Sequence, residues 1–428
     1  MRILFLFIFC WTVSIGKAQK LSVTERNIID AVNKNLPQSI QLLKEIVDIN
    51  SGTLNTAGVR KVGAVLSNEF TKIGLATEWI ELPDSLNRAG HLVAFQKGKK
   101  GKKLFLIGHL DTVFEPYMPA NPFAMLTKST ATGQGVNDMK GGNIIILAAL
   151  QALAKAGALE DVTVTAYFTG DEENAGYPRS ISRGDFIDRA KEHDIALGFE
   201  TAQGLNTVAT GRRGASSWQL NVTGKQAHSA GVFSNGYGAI YEAARIINAF
   251  REQLSQEKFL TFNPGIFAGG SEMIFDSSNS KTVLSGKTNI IAPVTYVQGD
   301  LRFLTEEQKE KARLKMKGIV ASNNLPGTKA EISFWDGIPS MEPSAGNNKL
   351  VKEVSNVSIA LGMGATYAGD PGSRGAGDIS YIAKYVDCLD GLGAAGYGAH
   401  APGEVIDLES FGKLIQRAAI LIYRLTRE

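Results

Sequence analysis

Between Leu104 and Phe114 the chain reads LFLIGHLDTVF: four apolar residues, a glycine, then His109 and, two positions on, Asp111. An extended backbone puts residues two apart on one side, so this imidazole and this carboxylate can face the same space at the end of a buried strand. Asp111 is expected to fix the tautomer and direction of His109 as a metal ligand. Other acids follow apolar strands in the same way. Glu172 and Glu173 come after VTVTAYFTG, and Glu200 closes DIALGFE. Asp138 lies in the glycine-rich GQGVNDMKGGN just ahead of an apolar helical run, and His400 in the small-residue loop GAAGYGAHAPGE. Carboxylates mixed with imidazoles are the ligand set of zinc or a related divalent ion. Several carboxylates packed together without cations would be strongly unfavourable.

The elements that must bring these groups together can be read from periodicity. Residues 24–49 and 59–73 carry apolar residues at helical spacing. Strands and helices then alternate through HLVAF, KLFLIG, the helix GGNIIILAALQALAKAGAL, DVTVTAYFTG, a helix near 182–192 and DIALGFE. That alternation implies an α/β fold with a mixed, mostly parallel sheet and helices on both faces, whose ligands sit beyond the carboxyl ends of the strands. From Gly211 the order becomes strand, helix, two strands, helix, strand, a small α+β unit of ferredoxin-like type running to Asp336. Helices near 347–361, 378–385 and 408–425 resume the first pattern. The expected organisation is therefore one α/β domain in two segments, 19–210 and 337–428, with a second domain inserted at 211–336.

The motifs GHLDTVF, GVNDMKGG, GDEENAG, GFE, VTGKQAHSAG and GYGAH closely resemble, in order and spacing, those of the co-catalytic zinc peptidases of the aminoacylase and glutamate carboxypeptidase type. The resemblance covers nearly the whole chain after the leader. It implies two Zn2+ per chain, with Co2+ or Mn2+ as substitutes. Asp138 would bridge the ions, His109 and Glu200 would complete one site, and Glu173 and His400 the other. Glu172 would be the general base, activating a metal-bridging water and returning a proton to the leaving amine. The inserted domain would serve dimerisation or act as a lid, making a homodimer. His228 matches a histidine that holds substrate or oxyanion, and Asn289 and Arg302 match substrate-carboxylate contacts. Where the family has a Gly-Gly-x-x-Asp type of stretch, this chain has GDPGSRGAGDIS. Arg374 is thus either an added anion-binding group in the pocket or part of a structural or surface ion pair.

Composition bounds the alternatives. Forty-five Lys and Arg against 42 Asp and Glu give a net charge of +3 over 428 residues, no footprint for nucleic acid. The one basic run, KGKKGKK at 97–103, is expected to be a solvated hairpin tip. The first residues resemble a secretory signal cleaved after Ala18, with an apolar run from Ile3 to Ile15 too short to span a membrane, so the mature protein is expected to be secreted or periplasmic with no stable membrane span. Its substrate would be a peptide or N-acyl amino acid, cut before the C-terminal residue as by a glutamate carboxypeptidase. An aminoacylase or dipeptidase is the neighbouring reading. A non-catalytic dimeric binding protein of the same fold would lack a ligand or the base, and here every position is filled.

Overall fold

The computed structural model describes residues 20–276 and 281–427. The expected signal segment lies outside these residues. No helix among them is long and apolar enough to cross a membrane.

The strand Lys100–His109 shows how the main core is built. Leu104 and Leu106 pack on one side of it, while Phe105 and Ile107 pack on the other. Apolar side chains at every position, each alternate one buried on the opposite face, require cover on both faces. On one face lie the helices Val23–Asp48, Gly141–Lys155 and Leu408–Leu425, which pack against one another. The first starts at a capping box, with the Ser22 hydroxyl accepting from the Glu25 N–H while the Glu25 carboxylate accepts from the Ser22 N–H. Gly141–Lys155 is apolar nearly all round because helices surround it. The helix Gly184–Ala190 contributes Phe186 and Ala190 to the opposite face.

The six strands run in the order Ala76–Ile80, His91–Gln96, Val162–Thr169, Lys100–His109, Ile195–Gly198, Asp387–Leu389. The last four are mutually parallel, and His91–Gln96 alone runs against the others, pairing antiparallel with Ala76–Ile80 on one side and Val162–Thr169 on the other. A mostly parallel sheet with helices on both faces is thus the observed fold. Its four parallel strands end at one edge, immediately before Asp111, Asp171, Glu200 and Asp390.

A second sheet, in the order Thr261–Gly270, Val294–Phe303, Gly214–Gly224, Thr328–Asp336, is wholly antiparallel. With the helices Gly238–Leu254 and Glu306–Val320 it encloses its own core, in which Trp218, Phe250, Leu301 and Met316 meet.

Two expectations are corrected. The lysine run 97–103 is solvated, but His91–Gln96 and Lys100–His109 are not paired as a hairpin. Val162–Thr169 lies between them, antiparallel to one and parallel to the other. The expected helix at 378–385 is a single 3-10 turn, Asp378–Tyr381. The Asp378 side chain is drawn inward by Thr169 and Arg183, and the chain leaves to enter the sheet edge at Asp387.

Candidate metal centre

His109 is the last residue of its strand, and its ring is buried. Nδ1 lies 3.0 Å from the Asp111 carbonyl oxygen and 3.4 Å from its Oδ1. An Nδ1–H donated there leaves Nε2 with a free lone pair, the form a metal requires. Nε2 lies 3.4 Å from Asp138 Oδ1 and 3.8 Å from Glu200 Oε1. Asp111 thus lies beside His109 Nδ1, and its closer contact is through its backbone carbonyl. Its carboxylate oxygens accept from the Glu172 N–H at 3.0 Å, the Glu173 N–H at 3.1 Å and the Thr53 hydroxyl at 2.6 Å. One buried acid therefore ties the end of one strand to the turn after the next.

Asp138 comes from a turn whose backbone leaves helical geometry at residues 138 and 139, just before Gly141–Lys155. Its Oδ2 lies 3.0 Å from His400 Nε2, which is also 3.3 Å from Glu173 Oε2. His400 adopts a left-handed φ of 65° and stays 58% exposed, so this imidazole stands at the rim while His109 stands at the floor. Three overlapping sets have ligand atoms close enough to share an ion: His109, Asp138 and Glu200; Asp138, Glu173 and His400; His109, Glu172 and Glu173.

The electrostatics fit such ions. No Lys or Arg forms an ion pair with Asp138, Glu172, Glu173 or Glu200 among the described residues, and Glu173 Oε1 is buried with no hydrogen-bond partner. Burial, then the charge of Glu200, pushes Glu172 well above the usual carboxylate range. Burial, then Asp138, pushes Glu173 up to about 9. Glu200 is raised to about 7 by burial and then by Asp138. Asp138 differs: against the cost of burial, His109 and His400 hold it far down. Carboxylates this crowded lack a counter-charge, and divalent cations bound by the same oxygens would supply it.

Of the remaining expected residues, Arg374 is close by. Its Nη1 donates to the carbonyl of Thr201, next to Glu200, at 2.7 Å. His228 is exposed on the smaller unit, bridged to Ile290 beside Asn289. Arg302 pairs through Nε with Asp300 at 2.9 Å on the smaller unit's own sheet. None of these four side chains forms a hydrogen bond or ion pair with the carboxylate cluster among the described residues.

Sequence reading missed Asp390, Arg212 and Arg183. Asp390 follows the strand Asp387–Leu389, and the strand-end pattern that found Glu200 could have found it. Arg212 is buried, donating to Asp390 Oδ2 at 2.6 Å and to the carbonyls of Gly375 and Ala376. Arg183, also buried, joins Asp171 Oδ1 at 2.5 Å to Asp378 Oδ1 at 2.7 Å, directly behind Glu172.

Known proteins agree with this architecture. The model of peptidase family M20/M25/M40 matches residues 105–424. Carboxypeptidase G2 of Pseudomonas sp. (strain RS-16) is 27% identical over 398 residues, 92% of this chain and 91% of that protein. A Staphylococcus aureus tripeptidase structure has a TM-score of 0.71 at 20% identity, with 92% of this chain and 99% of that one covered. The Bacillus subtilis YXEP protein, described as a dinuclear metal binding peptidase from the M20 family, has a TM-score of 0.65 at 15% identity, with 92% and 99% covered. Matched by the family model over most of its length and bringing to its sheet edge imidazoles and carboxylates close enough to share ions, the chain belongs to peptidase family M20/M25/M40 and is a metallopeptidase.

Proposed function

We propose that the protein is an exported zinc carboxypeptidase that hydrolyses the amide bond before a C-terminal amino acid, as a glutamate carboxypeptidase does. The observation that carries this reading is the Asp138 carboxylate, one oxygen toward His109 and the other toward His400. In this reading His109, Asp138 and Glu200 would hold one Zn2+, and Asp138, Glu173 and His400 a second. When bound, the two ions would lower the pKa of water and neutralise charge developing on the attacked carbonyl oxygen.

The remaining work falls to side chains of the chain itself. Glu172 carries its carboxylate on the same turn as the ligand Glu173 but is left free to exchange protons. It takes one from the attacking water and delivers it to the departing amine. Asp111 keeps both glutamates in place through their backbone N–H groups. Arg374 lies beside the segment that carries Glu200, where a planar guanidinium suits the substrate's carboxylate. His228, Asn289 and Arg302 would add contacts from residues 211–336, acting as a lid and as the dimer contact over a catalytic domain formed by 19–210 and 337–428.

Support for C-terminal cleavage comes from the relative named carboxypeptidase G2, similar over nearly the full length of both chains. Steady-state rates on N-acyl glutamates, other N-acyl amino acids, dipeptides and tripeptides test it. The highest kcat/KM on an N-acyl glutamate or a peptide with C-terminal glutamate is expected. A preference for free dipeptides or simple N-acetyl amino acids would instead make it a dipeptidase or aminoacylase.

A further inference from the structure

Glu404 is fully buried, and among the described residues no Lys or Arg forms an ion pair with its carboxylate. It accepts from three backbone amides: Oε1 from Asn137 and Asp138, each at 2.7 Å, and Oε2 from Gly135 at 3.1 Å. These amides belong to the turn that carries Asp138. The Glu404 backbone reaches in the other direction as well. Its N–H donates to the Ala401 carbonyl at 3.2 Å, in the loop that carries His400, and its carbonyl accepts from the Thr132 hydroxyl at 2.7 Å. One residue is thus bonded to both segments whose side chains meet at His400 Nε2 and Asp138 Oδ2.

Taking a carboxylate out of water costs several kcal/mol, and filling the space would require only an apolar side chain. The turn explains the acid. With residues 138 and 139 out of helical geometry, the amides around Asp138 need an acceptor from outside the turn. Charged acceptors make the stronger bonds to backbone N–H. Asp111 grips the amides of Glu172 and Glu173 in the same manner, so each of the two ligand-bearing turns rests on a buried acid.

We propose that Glu404 is a positioning residue of the metal centre, setting the Asp138 turn against the His400 loop before any ion arrives and thereby raising the affinity for the ions. The inference rests on reading Asp138 and His400 as ligands.

The test is the Zn2+ affinity of the full-length protein, measured by competition with a fluorescent chelator. Glu404→Gln keeps the shape but turns an N–H2 group toward the turn's amides, and affinity should fall by about 10–100-fold, the usual effect of losing a group that supports a ligand. Glu242→Gln is the control. Glu242 is equally buried in the smaller unit and bonded to Arg245, Asn324 and the Leu325 amide, so its loss should destabilise the fold without moving Zn2+ affinity. Wild-type affinity in Glu404→Gln, or an equal loss in Glu242→Gln, would overturn the inference. If the wild-type protein itself binds no Zn2+, the functional reading fails first. Should Glu404→Gln not fold, hydrogen exchange of the metal-free wild type decides: slow exchange of the amides of residues 135, 137 and 138 supports the inference, and exchange as fast as in an exposed loop overturns it.

Discussion

His109 and His400 are separated by a single carboxylate: Asp138 turns Oδ1 to within 3.4 Å of one Nε2 and Oδ2 to within 3.0 Å of the other. If that carboxylate is shared by two ions, its removal must affect both. Asp138→Asn is therefore expected to weaken both Zn2+ sites by more than the roughly 10–100-fold typical of losing a supporting group. His400→Ala should lose one equivalent and keep the other. Elemental analysis after gel filtration distinguishes the two. Equal metal contents in both variants would contradict the bridging assignment.

Glu172 has no ligand duty in this account. Glu172→Gln should bind metal as the wild type does and lose about 10^2–10^4-fold in kcat, the range expected for general acid–base catalysis. Near-wild-type turnover would show that the base is another group.

Arg183 pairs with both Asp171 and Asp378 where all three side chains are buried. Removing one partner of such a set leaves uncompensated charge, so Arg183→Ala should destabilise the fold by about 3–5 kcal/mol in denaturant unfolding. A loss under about 1 kcal/mol would mean that water reaches the site and does the arginine's work.

The helices at the two ends of the described chain meet at Glu25, whose carboxylate accepts from Arg424 Nε at 2.7 Å. Burial works against ionisation of Glu25, but the Ser22 N–H and Arg424 outweigh it and hold the group below its ordinary 4.5. A lowered carboxylate pKa contributes stability that is fully present above the ordinary value and is lost as pH falls through the lowered one. The difference in unfolding free energy between wild type and Glu25→Gln should be roughly 1–2 kcal/mol at pH 7, shrink below about pH 4.5 and vanish once Glu25 is protonated in the folded state. A constant difference from pH 7 to pH 3 would count against the pairing.

What could be read in the sequence and what could not follows a physical division. His109, Glu172, Glu173 and Glu200 were legible because each ends an apolar strand, and parallel strands deliver their ends to one edge. Asp138 and His400 stood out in glycine-rich turns. Glu404, Arg183 and Arg212 were not legible. Their partners are backbone amides, carbonyls and acids up to 269 positions away, and local periodicity does not encode pairs that only the tertiary fold creates. The lysine run misled for the same reason, since neighbouring strands in sequence admitted Val162–Thr169 between them.

Zn2+ titration of the metal-free protein, followed alongside hydrolysis of an N-acyl glutamate, tests the central claim most directly. The account predicts binding of two equivalents per chain, with activity absent before metal is added and restored as the sites fill. Binding of one equivalent or none, or hydrolysis that persists in the presence of a chelator, would contradict it.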